Sequence, residues 1–316
     1  MKIHLAHSLL KPQVKQLWHD CFGDGDPYIS WYFDNIYKDE NTIVATENDR
    51  ILGAAQMRLH EIVLHGKKHK CGYVCGVSTQ PYARGKKIGS LILEKVADVS
   101  KDRGCEFNVL VPIIDRFYEK NGFVRCFDRT EYVLNIHDIT NIADGNYFRH
   151  ATNTDAQKLY EIYTEFVSGF DCYMLRSCDY FKQLIEQYNH CGGGCVIFKS
   201  GGYILFYPEN EELRIEEAVA LNRQAAEDIL AYISVAGKDC KTVVLRCGEK
   251  DVFSLILNTL YAKCIKTHNI NIQPFFMSET EILAKSGKID TNLAKLMGIA
   301  DVSTYAYSKN FVNILL

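Results

Sequence analysis

The chain has 316 residues, 47% hydrophobic and 24% charged, with a formal net charge of −3. That length suits two domains rather than one, and the composition is that of a folded globular chain, not a disordered one. The near-neutral balance excludes nucleic-acid binding by bulk charge, and no apolar run has the length of a signal peptide core or a membrane span. A cytoplasmic protein without a membrane or nucleic-acid partner is expected.

In chain order, a strand is predicted over Lys2–Ala6 and a helix over Pro12–Phe22, with Val14, Leu17, Trp18, Cys21 and Phe22 on one apolar face. Gly23-Asp24-Gly25-Asp26-Pro27 is a turn cluster. The next helix, Tyr28–Tyr37, would bury Ile29, Tyr32, Phe33 and Ile36 and turn Tyr28, Trp31 and Asn35 the other way. Strands follow over 42–46, 51–64 and 73–79. Gln80-Pro81 stops the third of these, because proline cannot donate to a ladder.

A basic, glycine-bearing loop then opens a helix whose apolar residues fall at Ile88, Leu91, Ile92, Val96 and Val99. Unpaired N–H groups at that helix start favour an anion, and Arg84, Lys86 and Lys87 add charge beside them. Gly85 and Gly89 let backbone approach a bulky phosphate. The loop therefore has the chemistry of a diphosphate cradle, although loops of this type also occur as solvated turns. Gly104 caps the helix, Cys105–Val111 forms a strand, and Phe117-Tyr118-Glu119-Lys120 lies on a short helix. Glu131–Leu134 is predicted to close this sheet.

Residues 136–146 look like a linker, after which the pattern restarts. A strand over 147–151 precedes a helix with Ala156, Leu159, Tyr160, Tyr163, Phe166 and Val167 on one face. Later, Glu217–Ala220, Asn222–Ala236 and Lys241–Arg246 repeat strand, helix, strand. The second loop has no glycine, and Glu227 and Asp228 near its helix start disfavour a diphosphate. The twelve cysteines show no CxxC. Neither Cys71/Cys75 nor His190/Cys191/Cys195 has the usual zinc spacing, so no metal site is expected.

The ordered set of strand, basic loop, helix, strand and F-Y-E-K-x-G-F resembles the GNAT superfamily of N-acetyltransferases. The family loop reads Arg/Gln-x-x-Gly-x-Gly/Ala, and Arg84-x-x-Lys87-x-Gly89 keeps its ends but has lysine at the middle glycine. The paired halves, with Leu110-Val111-Pro112 before Phe117-Tyr118, resemble the enhanced-intracellular-survival group of tandem GNAT proteins. The resemblance implies an α/β (α+β) fold, a mixed sheet flanked by helices, present twice with the second copy degenerate. The expected division is a catalytic domain over 1–136, a degenerate domain over 147–270 and a C-terminal extension over 271–316. The sterol-carrier-like third domain of that group is expected to be absent or reduced.

The resemblance further implies transfer of an acetyl group from acetyl-CoA to a primary amine by direct attack in a ternary complex. Val77, Ser78 and Thr79 would follow the thioester and pantetheine, and Arg84, Gly85, Lys86, Lys87, Ile88, Gly89 and Ser90 the diphosphate. Tyr118 would protonate the leaving thiolate, since a phenol is a neutral donor at pH 7. The carboxylate of Leu316 is a candidate for the active site, as in the tandem group. Among other candidate bases, His60, Glu61 and Glu131 read first as solvated polar residues. Asp24, Asp26, Tyr28 and Trp31 fall where GNAT domains wall the acceptor pocket. Carboxylates beside aromatic faces suit a cationic amine, as a small molecule or a peptide, though the acids also serve as helix caps. Homo-oligomers are compatible with the sequence. Two other readings stand beside this one: a non-catalytic acetyl-CoA-binding module, and an aminoacyl or peptidyl transferase.

Overall fold

A computed structural model describes residues 1–23, 26–64, 66–139, 148–170, 172–247, 252–260 and 262–275. The N-terminal half runs β1 (Lys2–Leu5), α1 (Lys11–Phe22), α2 (Asp26–Asn35), β2 (Thr42–Glu47), β3 (Arg50–Leu64), β4 (Lys67–Thr79), α3 (Ile88–Asp102), β5 (Phe107–Leu110), α4 (Asp115–Glu119) and β6 (Val124–Asn135). The rest runs β7 (Phe148–His150), α5 (Ala156–Val167), β8 (Cys172–Met174), α6 (Cys178–His190), β9 (Gly194–Phe198), β10 (Gly202–Glu209), β11 (Glu212–Ala220), α7 (Arg223–Ala236), β12 (Thr242–Arg246), α8 (Val252–Leu257) and β13 (Lys263–Pro274). Apart from β8, the second series repeats the order of the first.

The alternation of side chains along each strand builds the layers. Val44, Ile51 and Ala54 join α1 and α2 in one core, while Ile43, Ala45, Leu52 and Ala55 join α3 and Tyr118 in another. The second half does the same. Ile197, Tyr203 and Leu205 pack with α5 and α6, and Val196, Ile204 and Phe206 pack with α7 and α8. Helix α1 opens with proline in its first turn and ends on Gly23, which takes φ +66° without the penalty a Cβ would bring. All five residues expected on its apolar face are buried.

The strands form one sheet in the order β1-β2-β3-β4-β5-β13-β6-β12-β11-β10-β9-β7, with β8 paired to β3. Residues 131–134 therefore do not close the first sheet beside β5, as the sequence pattern predicts. Strand β13 lies between, antiparallel to β5 through Asn271–Leu110 and to β6 through Lys263–Val133. It also crosses the 270/271 boundary expected from the sequence. Strand β6 in turn pairs with β12, from Thr242–Asn135 to Arg246–Glu131. The last strand of each series thus sits against the other half, and the ladder continues across both. No helix among the described residues is long and apolar enough to cross a membrane.

Candidate active site

The site begins where β4 and β5 part. Their parallel pairing covers only Cys71–Phe107, Gly72–Asn108 and Tyr73–Val109, yet β4 continues to Thr79. The β5-facing edge of Val74–Thr79 therefore carries no ladder bonds to β5. A bulge reinforces the departure: Ala54 opposes Ser78 and Gln56 opposes Cys75, so the register of β4 slips at Gly76-Val77. Gly76 has φ +60°, and a Cβ there would meet the Trp18 ring at 2.5 Å. Trp18 of α1 is thus seated against the bulge. After it, Val77 packs on the α3 side, whereas Tyr73 and Cys75 belong to the core on the opposite face.

Beyond Thr79 a single 3₁₀ turn, Pro81–Ala83, leads into the basic loop. Gly85 takes φ +78° and Lys87 φ +60°. Lys87 thus adopts the left-handed conformation at the position where the resembling loop pattern has glycine. Helix α3 begins with neither a side-chain cap nor an acid in its first turn, so its leading N–H groups are available to an anion. The Arg84 Nε donates to the Thr79 carbonyl at 3.3 Å, which folds the loop back on the end of β4.

A cavity of about 300 Å³ lies against this helix start. Val77, Thr79, Arg84, Gly85, Lys87, Ile88, Gly89, Ser90 and Tyr118 all line it. Two expected residues stand apart. Ser78 is buried and its hydroxyl donates to the Gly76 carbonyl at 3.2 Å, and Lys86 is exposed outside the lining. The sequence reading missed Ala83, Ile113, Ile114 and Phe117, which complete the wall. The two isoleucines carry no motif signal. A Cβ on Gly89 would lie 3.0 Å from the Phe117 ring, so glycine lets α3 and α4 approach across the cavity.

Tyr118 is 5% exposed, its ring packed edge-on to Phe117 and Phe123 at 5.1 and 5.8 Å. Its hydroxyl makes no hydrogen bond to a described residue. Burial pushes the phenol well above its ordinary pKa, because the charged form loses its water. The group is a neutral proton donor facing the cavity.

The expected acceptor residues are dispersed. Asp24 and Leu316 lie outside the described residues. Asp26 is exposed at the start of α2, and Tyr28 is buried with its ring 5.9 Å from Tyr32. Trp31 is also buried and lines a separate groove with Ala151 and Ile185, since α2 is covered by α6 on its far side as well as by α1. Glu131 is engaged by Arg246 at 2.9 Å. His60 and Glu61 line a cavity between β3 and α6. On that face the Tyr32 hydroxyl donates to Gln56 at 2.7 Å and lies 3.6 Å from the Cys75 sulfur. Among the described residues no cluster of side chains fits a metal ion.

The second half offers a comparison. Strands β11 and β12 also part, after Ile215–Leu245, while β11 runs on to Ala220. Here Glu216 and Arg246, the first residues past the last rung, form a buried ion pair. The start of α7 is capped by Asn222, whose side chain accepts from Ala225 N at 2.9 Å, and Arg223 pairs with Glu227 at 2.8 Å. This helix start is already satisfied.

Residues 3–126 match the family model described as an acetyltransferase (GNAT) domain. N-alpha-acetyltransferase 30 of Schizosaccharomyces pombe is 28% identical over 135 residues, 41% of this chain and 87% of that protein. Among solved structures, a GCN5-related N-acetyltransferase from Kribbella flavida superposes with a TM-score of 0.72 at 15% identity, covering 87% of this chain and 71% of its own. Eis1 from Mycobacterium abscessus superposes with a TM-score of 0.66 at 12% identity, covering 87% and 74%. Residues 3–126 are thus similar to the acetyltransferase (GNAT) domain family, and the described chain shares the fold of these solved structures.

Proposed function

We propose that the protein is an acetyl-CoA-dependent N-acetyltransferase acting on a primary amine by direct attack in a ternary complex. One observation carries the reading: the uncapped start of α3, the splayed edge of β4 and the neutral Tyr118 phenol meet in a single cavity. The residues fit the cofactor, since Gly89 keeps the wall clear and the leading N–H groups of α3 have no competing acid. When bound, acetyl-CoA supplies an acyl thioester whose C–S bond breaks as the C–N bond forms. The α3 start and the Lys87 charge hold the diphosphate. Free backbone N–H on β4 near Val77 donates to the thioester oxygen as it gains charge. Tyr118 gives its proton to the departing sulfur and is reprotonated from solvent, while the nitrogen sheds its own proton.

On this reading residues 1–136 are the catalytic domain. Residues 147–270 are a degenerate second copy whose equivalent gap is filled by Glu216 and Arg246, in a tandem arrangement of the enhanced-intracellular-survival kind. A peptide α-amine is a second candidate acceptor, favoured by the N-alpha-acetyltransferase relative. The test is acetyl-CoA-induced thermal stabilisation followed by thiol release across neutral, cationic and anionic amines and a short peptide. Stabilisation with amine-dependent thiol release is expected; absence of both would remove the assignment.

A further inference from the structure

The larger cavity between β3 and α6, about 720 Å³, lies on the sheet face opposite Tyr118. Lys38, Arg58, Lys70 and Arg176 line it, with Glu61 the one carboxylate among its described lining residues. Two of these cations, Arg176 and Lys70, are committed. Arg176 forms a two-pronged pair with Glu217 at 2.8 and 3.0 Å, and Lys70 donates to the Arg103 carbonyl at 2.7 Å. Arg58 is different: it makes no hydrogen bond or ion pair with any described residue. The ionisable groups that act on its charge most strongly are Tyr180, Tyr32, Cys75 and Tyr28, none of them a carboxylate. The Tyr180 hydroxyl is buried without a hydrogen-bond partner. Beside them, burial and the charges of Arg58 and Arg176 hold His60 neutral, down to about 3. Arg58 is half-buried, and an anion entering the cavity would form charge-assisted hydrogen bonds with its guanidinium.

The register ties this cavity to the reaction. Arg58 opposes Tyr73, the last β4 residue paired with β5. Cys75 and the Gly76-Val77 bulge follow within about 13 Å along the strand. Arg58 thus stands on the strand beside the point where β4 leaves β5.

We infer that the acceptor amine carries an anionic group, a carboxylate or a phosphate, and that Arg58 is the ligand that seats it between β3 and α6. This rests on the acyl-transfer reading above. It replaces the cationic acceptor expected from Asp24 and Asp26 with a compact amino acid or amino phosphate.

The experiment compares thiol release from acetyl-CoA with γ-aminobutyrate, O-phosphoethanolamine, butylamine and spermidine, in wild type, Arg58→Met and Arg58→Lys. Thermal shifts with acetyl-CoA and with each amine are recorded in parallel. Anionic amines are expected to be preferred. Arg58→Met should raise their KM at least about thirtyfold, the usual effect of removing one partner of a charge pair, with R58K recovering part of the loss. Acetyl-CoA should stabilise all three proteins alike, which shows that the variants are folded. A preference between the two anionic amines tells carboxylate from phosphate. Turnover that favours butylamine or spermidine, or that ignores Arg58, overturns the inference and leaves the acetyltransferase reading standing. Arg58-dependent stabilisation by anionic amines without thiol release overturns the acceptor role together with that reading.

Discussion

Lys87 shows what one residue can do at two levels. With φ +60° it occupies backbone space that costs an L-residue about 1–2 kcal/mol, and its charge stands at the start of α3. Lys87→Gly should therefore raise stability by about 0.5–1 kcal/mol, after allowing for the looser unfolded chain, yet weaken acetyl-CoA binding several-fold. Melting temperature and titration calorimetry read the two effects separately. Equal stability would show that the left-handed strain is unimportant. Tyr118→Phe should lower turnover about a hundredfold, the scale of one general acid, with acetyl-CoA affinity unchanged. Because burial raises the Tyr118 pKa, the phenol stays protonated through pH 10, and no alkaline loss of activity below that pH should disappear in the phenylalanine variant. These proposed roles follow from the family resemblance, in which Arg84, Gly89 and Tyr118 stand at motif positions. Arg58 was not legible: nothing in Met57-Arg58-Leu59 distinguishes a strand arginine without an acid partner from a solvated one.

At the scale of elements, the bulge in β4 depends on a glycine and a tryptophan distant in sequence. Gly76→Ala must both strain a left-handed residue and displace the Trp18 ring, and should cost about 2–4 kcal/mol. Denaturant unfolding measures this, and a loss under 1 kcal/mol would mean that the bulge tolerates a Cβ. Helix α5 is entered through a capping box in which Thr152 N and Arg149 both bond Asp155. The Arg149 guanidinium, then the Thr152 bonds, hold the Asp155 carboxyl down to about 2. A depressed acid contributes stability that is present above its unfolded value near 3.8 and is lost as pH falls through 2. Asp155→Asn should thus cost on the order of 2 kcal/mol at neutral pH and flatten the acid limb between pH 4 and 2. Elements with one buried face, such as α1, were readable because burial on one side imposes a single periodicity. Helix α2 was misread for the converse reason: α1 and α6 cover opposite sides, so Tyr28 and Trp31 are buried along with Ile29 and Phe33.

At the scale of the molecule, β13 decides how the halves behave. Local pattern placed Glu131–Leu134 beside β5 because sequence order says nothing about a strand arriving from 130 residues further on. Only the ladder bonds of Asn271 and Ile272 reveal the insertion. Since β13 supplies pairing to β5 and β6 at once, both halves should unfold in one transition. Ile272→Ala should lower that single transition by about 2–4 kcal/mol, and two separate calorimetric transitions would contradict the shared sheet. The account as a whole stands on the start of α3 as a diphosphate site that α7, capped by Asn222, does not offer. The most direct measurement is the acetyl-CoA dissociation constant of wild type against Ser90→Glu, which gives α3 an acid in its first turn. At least tenfold weaker binding by the variant, with an unchanged fold, is expected. Equal affinity, or no binding by the wild type, would contradict the central claim.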